Sequence, residues 1–346
     1  MRIVHMLWAL EIGGAETMLV DIANEQVKTE DISIVVVNDK INTSLLNTID
    51  SRCDVVILGR KPGSKNIWPW IKLNMFLLRW HPDIVHFHLE GMREMVLCYC
   101  PMVFTIHNMN TSSKEYHRYN ALFAISDAVK NKTEQQGFKA ITVHNGIHID
   151  AIETKNRVRR AEPIRYKFVS VGRLYTPHKG QDVLIRALAQ VNKGGCKDWH
   201  LDVIGDGESR MLLQELIHEK GLDEQITLLG SRDRTYLYNH LCDYDLFILP
   251  SRTEGFGLSV AEAMCAEIPV LISRLDGPME VIDGGRLGRF FNPDDENDLA
   301  NEISKFMQNG SDKTLLVEAR NYAVEHFDIR RTAEKYLEEY KKILCR

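Results

Sequence analysis

The sequence predicts an α/β protein of two doubly wound domains, each a parallel sheet covered by helices. Three observations carry this. Short continuous runs of Val, Ile and Leu alternate with helical patterns along the whole chain, as in strands buried on both faces. The alternation breaks once, in the polar stretch from Ile152 to Arg165, and then restarts. The length, 346 residues, exceeds one ordinary core and suits two domains of about 150 residues each.

In the first half the expected strands are Arg2–Met6, Ile32–Val37, Asp54–Leu58, Ile84–His88, Met102–His107, Leu122–Ile125 and Ile141–Val143, with helices such as Glu16–Lys28 and Ile67–Trp80 between them. In the second half they are Tyr166–Val171, Leu201–Ile204, Ile226–Leu229, Leu246–Leu249, Val270–Ile272 and Gly288–Phe291. The helices there are Gln181–Asn192, Ser209–Lys220, Thr235–Cys242, Ser259–Cys265, Asp295–Gln308 and a pair from Lys313 onward. The expected division is residues 1–155, 156–328 and a final helical segment 329–346. Ligands of open α/β sheets bind beyond the carboxyl ends of the strands, so two such domains imply a cleft lined by strand-end loops.

Composition narrows the function. A net charge of -5 without a basic excess argues against a nucleic-acid partner. There are seven cysteines, an odd number with no C-x-x-C, and most read as small buried hydrophobes in a reducing cytoplasm. The apolar start of the chain is interrupted by Glu11 and followed by Gly13-Gly14, so it reads as a strand and not a signal peptide. The run from Met95 to Ile106 contains Pro101 and falls short of the about 20 residues a membrane-spanning helix needs. The stretch Ile67–Trp80, with Trp68, Trp70, Phe76 and Trp80 beside Lys65, Lys72 and Arg79, could lie on a membrane surface. An ordinary core helix is the preferred reading.

Two constellations follow strands. After Leu246–Leu249 the chain reads Pro250-Ser251-Arg252-Thr253-Glu254-Gly255-Phe256-Gly257-Leu258-Ser259-Val260-Ala261-Glu262. A Gly-rich loop opening a helix presents unpaired N–H groups to an anion, and carboxylates at Glu254 and Glu262 suit sugar and ribose hydroxyls. A surface carboxylate at Glu262 is the plain alternative. After Tyr166–Val171 comes Gly172-Arg173-Leu174-Tyr175-Thr176-Pro177-His178-Lys179-Gly180. Charge-assisted hydrogen bonds, about 1.5–3 kcal/mol each, would let Arg173 and Lys179 outweigh a helix dipole of about 0.3–1 kcal/mol in holding a diphosphate. Two solvated surface cations are the alternative. His86 and His88 share a strand face, yet no third ligand has suitable spacing, so no metal is expected. Gly205-Asp206-Gly207 starts like a dinucleotide fingerprint and fails at Arg210, where the third glycine belongs.

The patterns G-R-L-x-x-x-x-K-G and E-G-F-G-L-S-x-x-E-A-M, with Gly13-Gly14-Ala15-Glu16, Pro82-Asp83-Ile84-Val85-His86 and Asn145-Gly146-Ile147, resemble the retaining glycosyltransferases of the GT-B fold, family 4. The resemblance covers most of the chain and is more specific in the C-terminal half. It implies that Arg173 and Lys179 bind the donor diphosphate. It places Glu254 on the donor sugar, with backbone of Gly255, Phe256, Gly257 and Leu258 nearby, and Glu262 on the ribose. It gives His107 as the active-site histidine and Gly14 as the close-approach point for the diphosphate. Gly13 and Glu16 fall on the acceptor side, and the C-terminal helix crosses back to the first domain.

The implied reaction moves a sugar from a nucleotide-sugar, UDP being the common choice, with retention and front-face attack. The acceptor would be a glycan or a lipid-linked species in bacterial surface polysaccharide synthesis, and neither cofactor nor metal is needed. A nucleotide-sugar epimerase and a catalytically silent nucleotide-sugar-binding subunit are the rival readings. Two departures stand out. Glu267 occupies a turn position that is Gly in the family, where positive φ would be costly. Asp276-Gly277-Pro278-Met279-Glu280 replaces Gly-Gly-x-x-E.

Overall fold

The computed structural model describes residues 1–155 and 165–345. In chain order the elements are β1 (Arg2–Leu7), α1 (Gly14–Gln26), β2 (Asp31–Asn38), α2 (Thr43–Leu46), β3 (Asp54–Arg60), α3 (Trp68–Trp80), β4 (Ile84–Phe87), β5 (Met102–Ile106), β6 (Ala121–Ala124), α4 (Asp127–Gln135) and β7 (Ile141–Thr142). They continue with β8 (Tyr166–Val171), α5 (Thr176–Lys179), α6 (Gln181–Lys193), β9 (Trp199–Ile204), α7 (Arg210–Glu219), β10 (Ile226–Gly230), α8 (Arg234–His240), β11 (Leu246–Leu249) and α9 (Leu258–Cys265). Last come β12 (Val270–Ser273), α10 (Asp276–Val281), β13 (Arg289–Phe291), α11 (Glu296–Asn309), α12 (Lys313–His326) and α13 (Ile329–Leu344). Every expected strand and helix forms, with ends displaced by a residue or two. The short helices α5, after β8, and α10, after β12, were not among the expected ones, because four to six residues carry no readable 3.6 period.

The chain divides into two compact units, Met1–Gly146 with Ile329–Arg346, and Ile147–Asp328. Much of the polar stretch expected to link them lies outside the described residues. The first unit is a seven-stranded parallel sheet ordered β3-β2-β1-β4-β5-β6-β7, and the second a six-stranded one ordered β10-β9-β8-β11-β12-β13. Both therefore reverse strand order at their centre, between β1 and β4 and between β8 and β11. This is the topological switch point, where diverging crossover loops leave a crevice for a ligand.

In the second unit α6 and α11 seal one face with Val183, Leu184, Leu188, Leu299 and Ile303 against Phe168, Trp199 and Ile248. Helix α9 ends in a tight turn. The Ile268 amide bonds to the Ala263 carbonyl at 3.2 Å and the Glu267 amide to that of Met264 at 3.1 Å. Glu267 carries φ 56° there, in a position that favours glycine. In the first unit α13 buries Ile329, Thr332, Ala333, Tyr336 and Tyr340, a 3–4 spacing that turns one face to the core.

Two expectations need correction. Helix α3 is not an ordinary core helix. It buries only Pro69, Leu73 and Leu77, a stripe at intervals of four, and leaves Ile67, Trp68, Ile71, Met75 and Leu78 exposed, because its residues are apolar all round and the sheet covers one side. The cysteines are also less hidden than expected. Cys53 and Cys265 are buried, while Cys98, Cys100, Cys196 and Cys242 are half-buried and Cys345 exposed. Among the described residues no helix is long and apolar enough to cross a membrane.

Candidate active site

The two cationic and acidic loops of the second unit leave β8 and β11, the strands flanking its switch point. They are clamped together by backbone. The amides of Arg252 and Thr253 both donate to the His178 carbonyl, at 2.8 and 3.1 Å. Gly180 has φ 60°, and a Cβ there would sit 2.0 Å from the Pro250 carbonyl oxygen. Only glycine allows that approach, which brings the end of α5 onto the β11 loop. Arg252 locks the junction by donating to both carboxylate oxygens of Asp182 at 2.7 and 2.9 Å, to Asp294 at 2.9 Å and to the Thr176 carbonyl at 2.6 Å. Burial pushes the Asp182 carboxyl up, but hydrogen bonds from Arg252 and Arg186 outweigh it and hold the group below its ordinary value.

On this frame Lys179 Nζ donates to Glu254 Oε2 at 2.6 Å, with the side chains 28% and 18% exposed. The Lys179 stem runs beside Gly172, 4.0 Å from where a Cβ would be. Arg173 stands apart from this pair. It is 67% exposed, bonded to Glu208 at 2.7 Å, with its guanidinium 5.9 Å from the Tyr175 ring centre. The structure thus brings together Lys179 and Glu254, and gives Arg173 a carboxylate partner that no sequence signal had singled out. Glu208 follows Gly205-Asp206-Gly207, the segment set aside as a failed fingerprint, and the Leu174 amide bonds to the Asp206 carbonyl at 3.0 Å.

Glu262 lies half-buried in α9. Gly257, φ 108°, precedes that helix as its N-cap, with no side-chain cap. Phe256 turns its ring inward, edge-on to Phe327 at 5.2 Å, and is 1% exposed. A Cβ on Gly277 would lie 2.5 Å from the Gly255 carbonyl oxygen and 2.9 Å from the Phe256 nitrogen. This explains the altered Asp276-Gly277-Pro278 motif, which keeps the one glycine that touches the loop.

In the first unit, Gly13 caps α1 and Gly14 begins it. The Glu16 carboxylate folds back over Gly13, 2.3 Å from where a Cβ would be. Burial and the charge of Glu11 raise its pKa, against one backbone hydrogen bond. A side chain at Gly14 would meet open space, so packing does not require glycine there. His107 follows β5, half-buried, its pKa lowered to about 4 by burial. Its Nε2 is 3.1 Å from His88 Nδ1.

His5 is a third histidine beside His86 and His88 that the sequence spacing does not reveal. The nitrogens of His5, His86 and His88 come within 4.8 Å of one another, and the strand register, which pairs His5 with His86, was the available signal. All three rings are fully engaged in hydrogen bonds to protein atoms, so a metal would have to displace these bonds.

A model of glycosyl transferases group 1 matches residues 152–325, and one of Glycosyltransferase Family 4 matches residues 12–151. The chain belongs to the group 1 glycosyl transferases. This glycosyltransferase is 25% identical over 280 residues to the phosphatidyl-myo-inositol mannosyltransferase of Mycobacterium leprae, covering 75% of this chain and 74% of that one. It is 28% identical over 283 residues to the amylovoran biosynthesis glycosyltransferase AmsK of Erwinia amylovora, covering 72% and 68%. Anabaena Alr3699/HepE in complex with UDP-glucose superposes with a TM-score of 0.83 at 20% identity, over 99% of this glycosyltransferase and 100% of that chain. That likeness establishes the GT-B fold of two Rossmann-like domains.

Proposed function

We propose that this glycosyltransferase moves a hexosyl group from a UDP-sugar, with retention, onto a lipid-linked or growing glycan in bacterial surface polysaccharide assembly. The Lys179–Glu254 pair on the glycine-clamped loops at the switch point carries the reading. The ammonium and the carboxylate satisfy each other. A donor offers the first a phosphate oxygen and the second sugar hydroxyls, so one exchange of partners binds both ends of the scissile bond. Arg173 would leave Glu208 for the diphosphate in the same way, Glu262 would take the ribose, and the N–H groups opening α9 would add to the positive field. His107 and Gly14 would serve the donor, and Gly13 and Glu16 the acceptor side.

In the reaction the anomeric carbon–phosphate oxygen bond breaks and a bond to the acceptor oxygen forms on the same face. The acceptor proton passes to the leaving phosphate, whose charge Lys179 and Arg173 stabilise. No metal or cofactor takes part. Relatives that work on phosphatidyl-myo-inositol and amylovoran, and a fold neighbour holding UDP-glucose, support the choice of substrates.

Helix α3 supports a bilayer-borne acceptor. Trp68 and Leu78 are 64% and 67% exposed, beside Leu97 at 75% and a fully exposed Tyr99. Asn74 fastens the two segments, donating to the Met95 carbonyl and accepting from the Leu97 amide, at 2.8 and 2.7 Å. An apolar surface with Lys65, Lys72 and Arg79 alongside suits an anionic membrane face. Replacing Trp68 and Leu97 by Ser should cut sedimentation with phosphatidylglycerol vesicles at least roughly tenfold, and unchanged binding refutes the membrane contact.

The test of function is a thermal-shift panel of nucleoside diphosphates and nucleotide-sugars on wild type and Glu262→Ala. Saturable stabilisation by uridine nucleotides, weakened in the variant, is expected. No stabilisation by any nucleotide refutes the donor site. An inverted product refutes retention, and donor conversion without acceptor favours an epimerase.

A further inference from the structure

One face of the first sheet carries a line of histidines whose order follows from register. β1 pairs His5 with His86, and β5 sets Phe104 beside Phe87. Alternate residues share a face, so His5, His86, His88, Thr105 and His107 all point the same way. Three of the rings form a continuous column. Gln26 Oε1 lies 2.8 Å from His5 Nε2, His5 Nδ1 lies 3.0 Å from His88 Nε2, and His88 Nδ1 lies 3.1 Å from His107 Nε2. His86 flanks the column, bonded to Tyr340 at 2.6 Å and to Thr105 at 2.7 Å, and Thr105 is bonded to Tyr336 at 3.0 Å.

A neutral imidazole has one donor and one acceptor nitrogen, so such a column runs in one direction only. With the Gln26 carbonyl accepting from His5 Nε2–H, His88 Nε2–H must donate to His5 Nδ1, and His107 Nε2–H to His88 Nδ1. His107 is then left with Nδ1 as an acceptor. An imidazolium inside would set two N–H groups against each other. Burial keeps the rings neutral, lowering His5 and His107 to about 4 and His86 and His88 well below their ordinary value. The groups against them are Gln26 from α1, Phe123 from β6, Tyr336 and Tyr340 from α13, Thr105 from β5, and one another. Among the described residues no Asp, Glu, Lys or Arg contributes to the shifts of these four rings.

We propose that His88, backed by His5 and Gln26, is a positioning residue that holds His107 in the Nε2–H tautomer, presenting Nδ1 as an acceptor for a sugar hydroxyl. The role rests on the placement of His107 at the donor sugar in the proposed function. Ordinary packing would be served by apolar side chains at His5 and His88, without a hydrogen-bonded path to the active-site ring.

The experiment has two readouts. In ¹⁵N-histidine-labelled full-length protein, long-range ¹H–¹⁵N correlation should show His107 as the Nε2–H tautomer, not titrating between about pH 5.5 and 8, against an ordinary histidine value of about 6.5. In His88→Phe, His107 loses its acceptor while burial still keeps the ring neutral, so the same correlation should show both tautomers in place of one. kcat should then fall roughly tenfold or more with no new acid limb in the pH profile. His88→Gln, whose carbonyl can accept from His107 and whose amide can donate to His5, should restore the single Nε2–H tautomer and most of the activity. It also serves if His88→Phe does not fold. The Nδ1–H tautomer in wild type, or an unchanged single Nε2–H tautomer in His88→Phe, would each overturn the proposal. Full activity in His107→Ala would instead remove His107 from the site while leaving the tautomer result standing, which separates the two failures.

Discussion

Replacing Lys179 by Met keeps most of the side-chain volume and removes the charge. In the free enzyme it strands Glu254, whose carboxylate is bonded to Lys179 at 2.6 Å with both side chains less than a third exposed. Exposed pairs contribute about 0–1 kcal/mol, and breaking a buried one costs about 3–5 kcal/mol. This half-buried pair should cost about 1–2 kcal/mol, a fall in melting temperature of about 2–8 °C. In the complex the loss is a charge-assisted hydrogen bond to phosphate, about 1.5–3 kcal/mol. At 1.4 kcal/mol per decade, UDP should bind roughly ten- to a hundredfold more weakly. Glu254→Gln is the counterpart. It frees Lys179, so UDP should bind at least as tightly as to wild type, while turnover of a UDP-sugar falls. Titration calorimetry with UDP reads both. A folded Lys179→Met protein that binds UDP within about twofold of wild type would refute the exchange-of-partners argument, and so would a Glu254→Gln protein that loses UDP.

Three further outcomes follow from the frame around this pair. Gly277→Ala should drive a methyl into the Gly255 carbonyl, cost about 1–3 kcal/mol and weaken donor binding; thermal unfolding with and without UDP measures both. Glu267→Gly should stabilise the protein by about 1 kcal/mol, since it relieves φ 56° at some entropic cost, a gain that thermal unfolding reads. Asp182→Asn should cost about 2 kcal/mol near neutrality. Because the folded pKa of Asp182 is depressed, its contribution is present above the unfolded value of about 3.9 and is lost as pH falls through the lower folded value. Urea titrations of wild type and variant should therefore converge only in strong acid.

The parallel sheets were legible because strands buried on both faces are written as unbroken Val/Ile/Leu runs, as in Ile34–Val37 or Leu246–Leu249. The glycines and charges at their ends marked where ligands approach. Pairings between distant residues were less legible. Glu208 on Arg173 and Asp182 on Arg252 lie 35 and 70 positions from their partners, and no local pattern encodes them. His5 looked like one polar residue in an apolar strand until register set it beside His86. Helix α3 misled for another reason: a helix apolar on every side does not say which side the protein covers.

Helix α13 has a consequence for how the chain is made. Its residues complete the first unit, where Tyr336 and Tyr340 hold Thr105 and His86, yet the ribosome reaches them only after the whole second unit has been synthesised. The second unit, Ile147–Asp328, is continuous and can close while the earlier-made sheet still lacks its last helix. The half of the enzyme that is translated first is thus the half that finishes folding last, and during synthesis its unfinished face is open to chaperones and proteases.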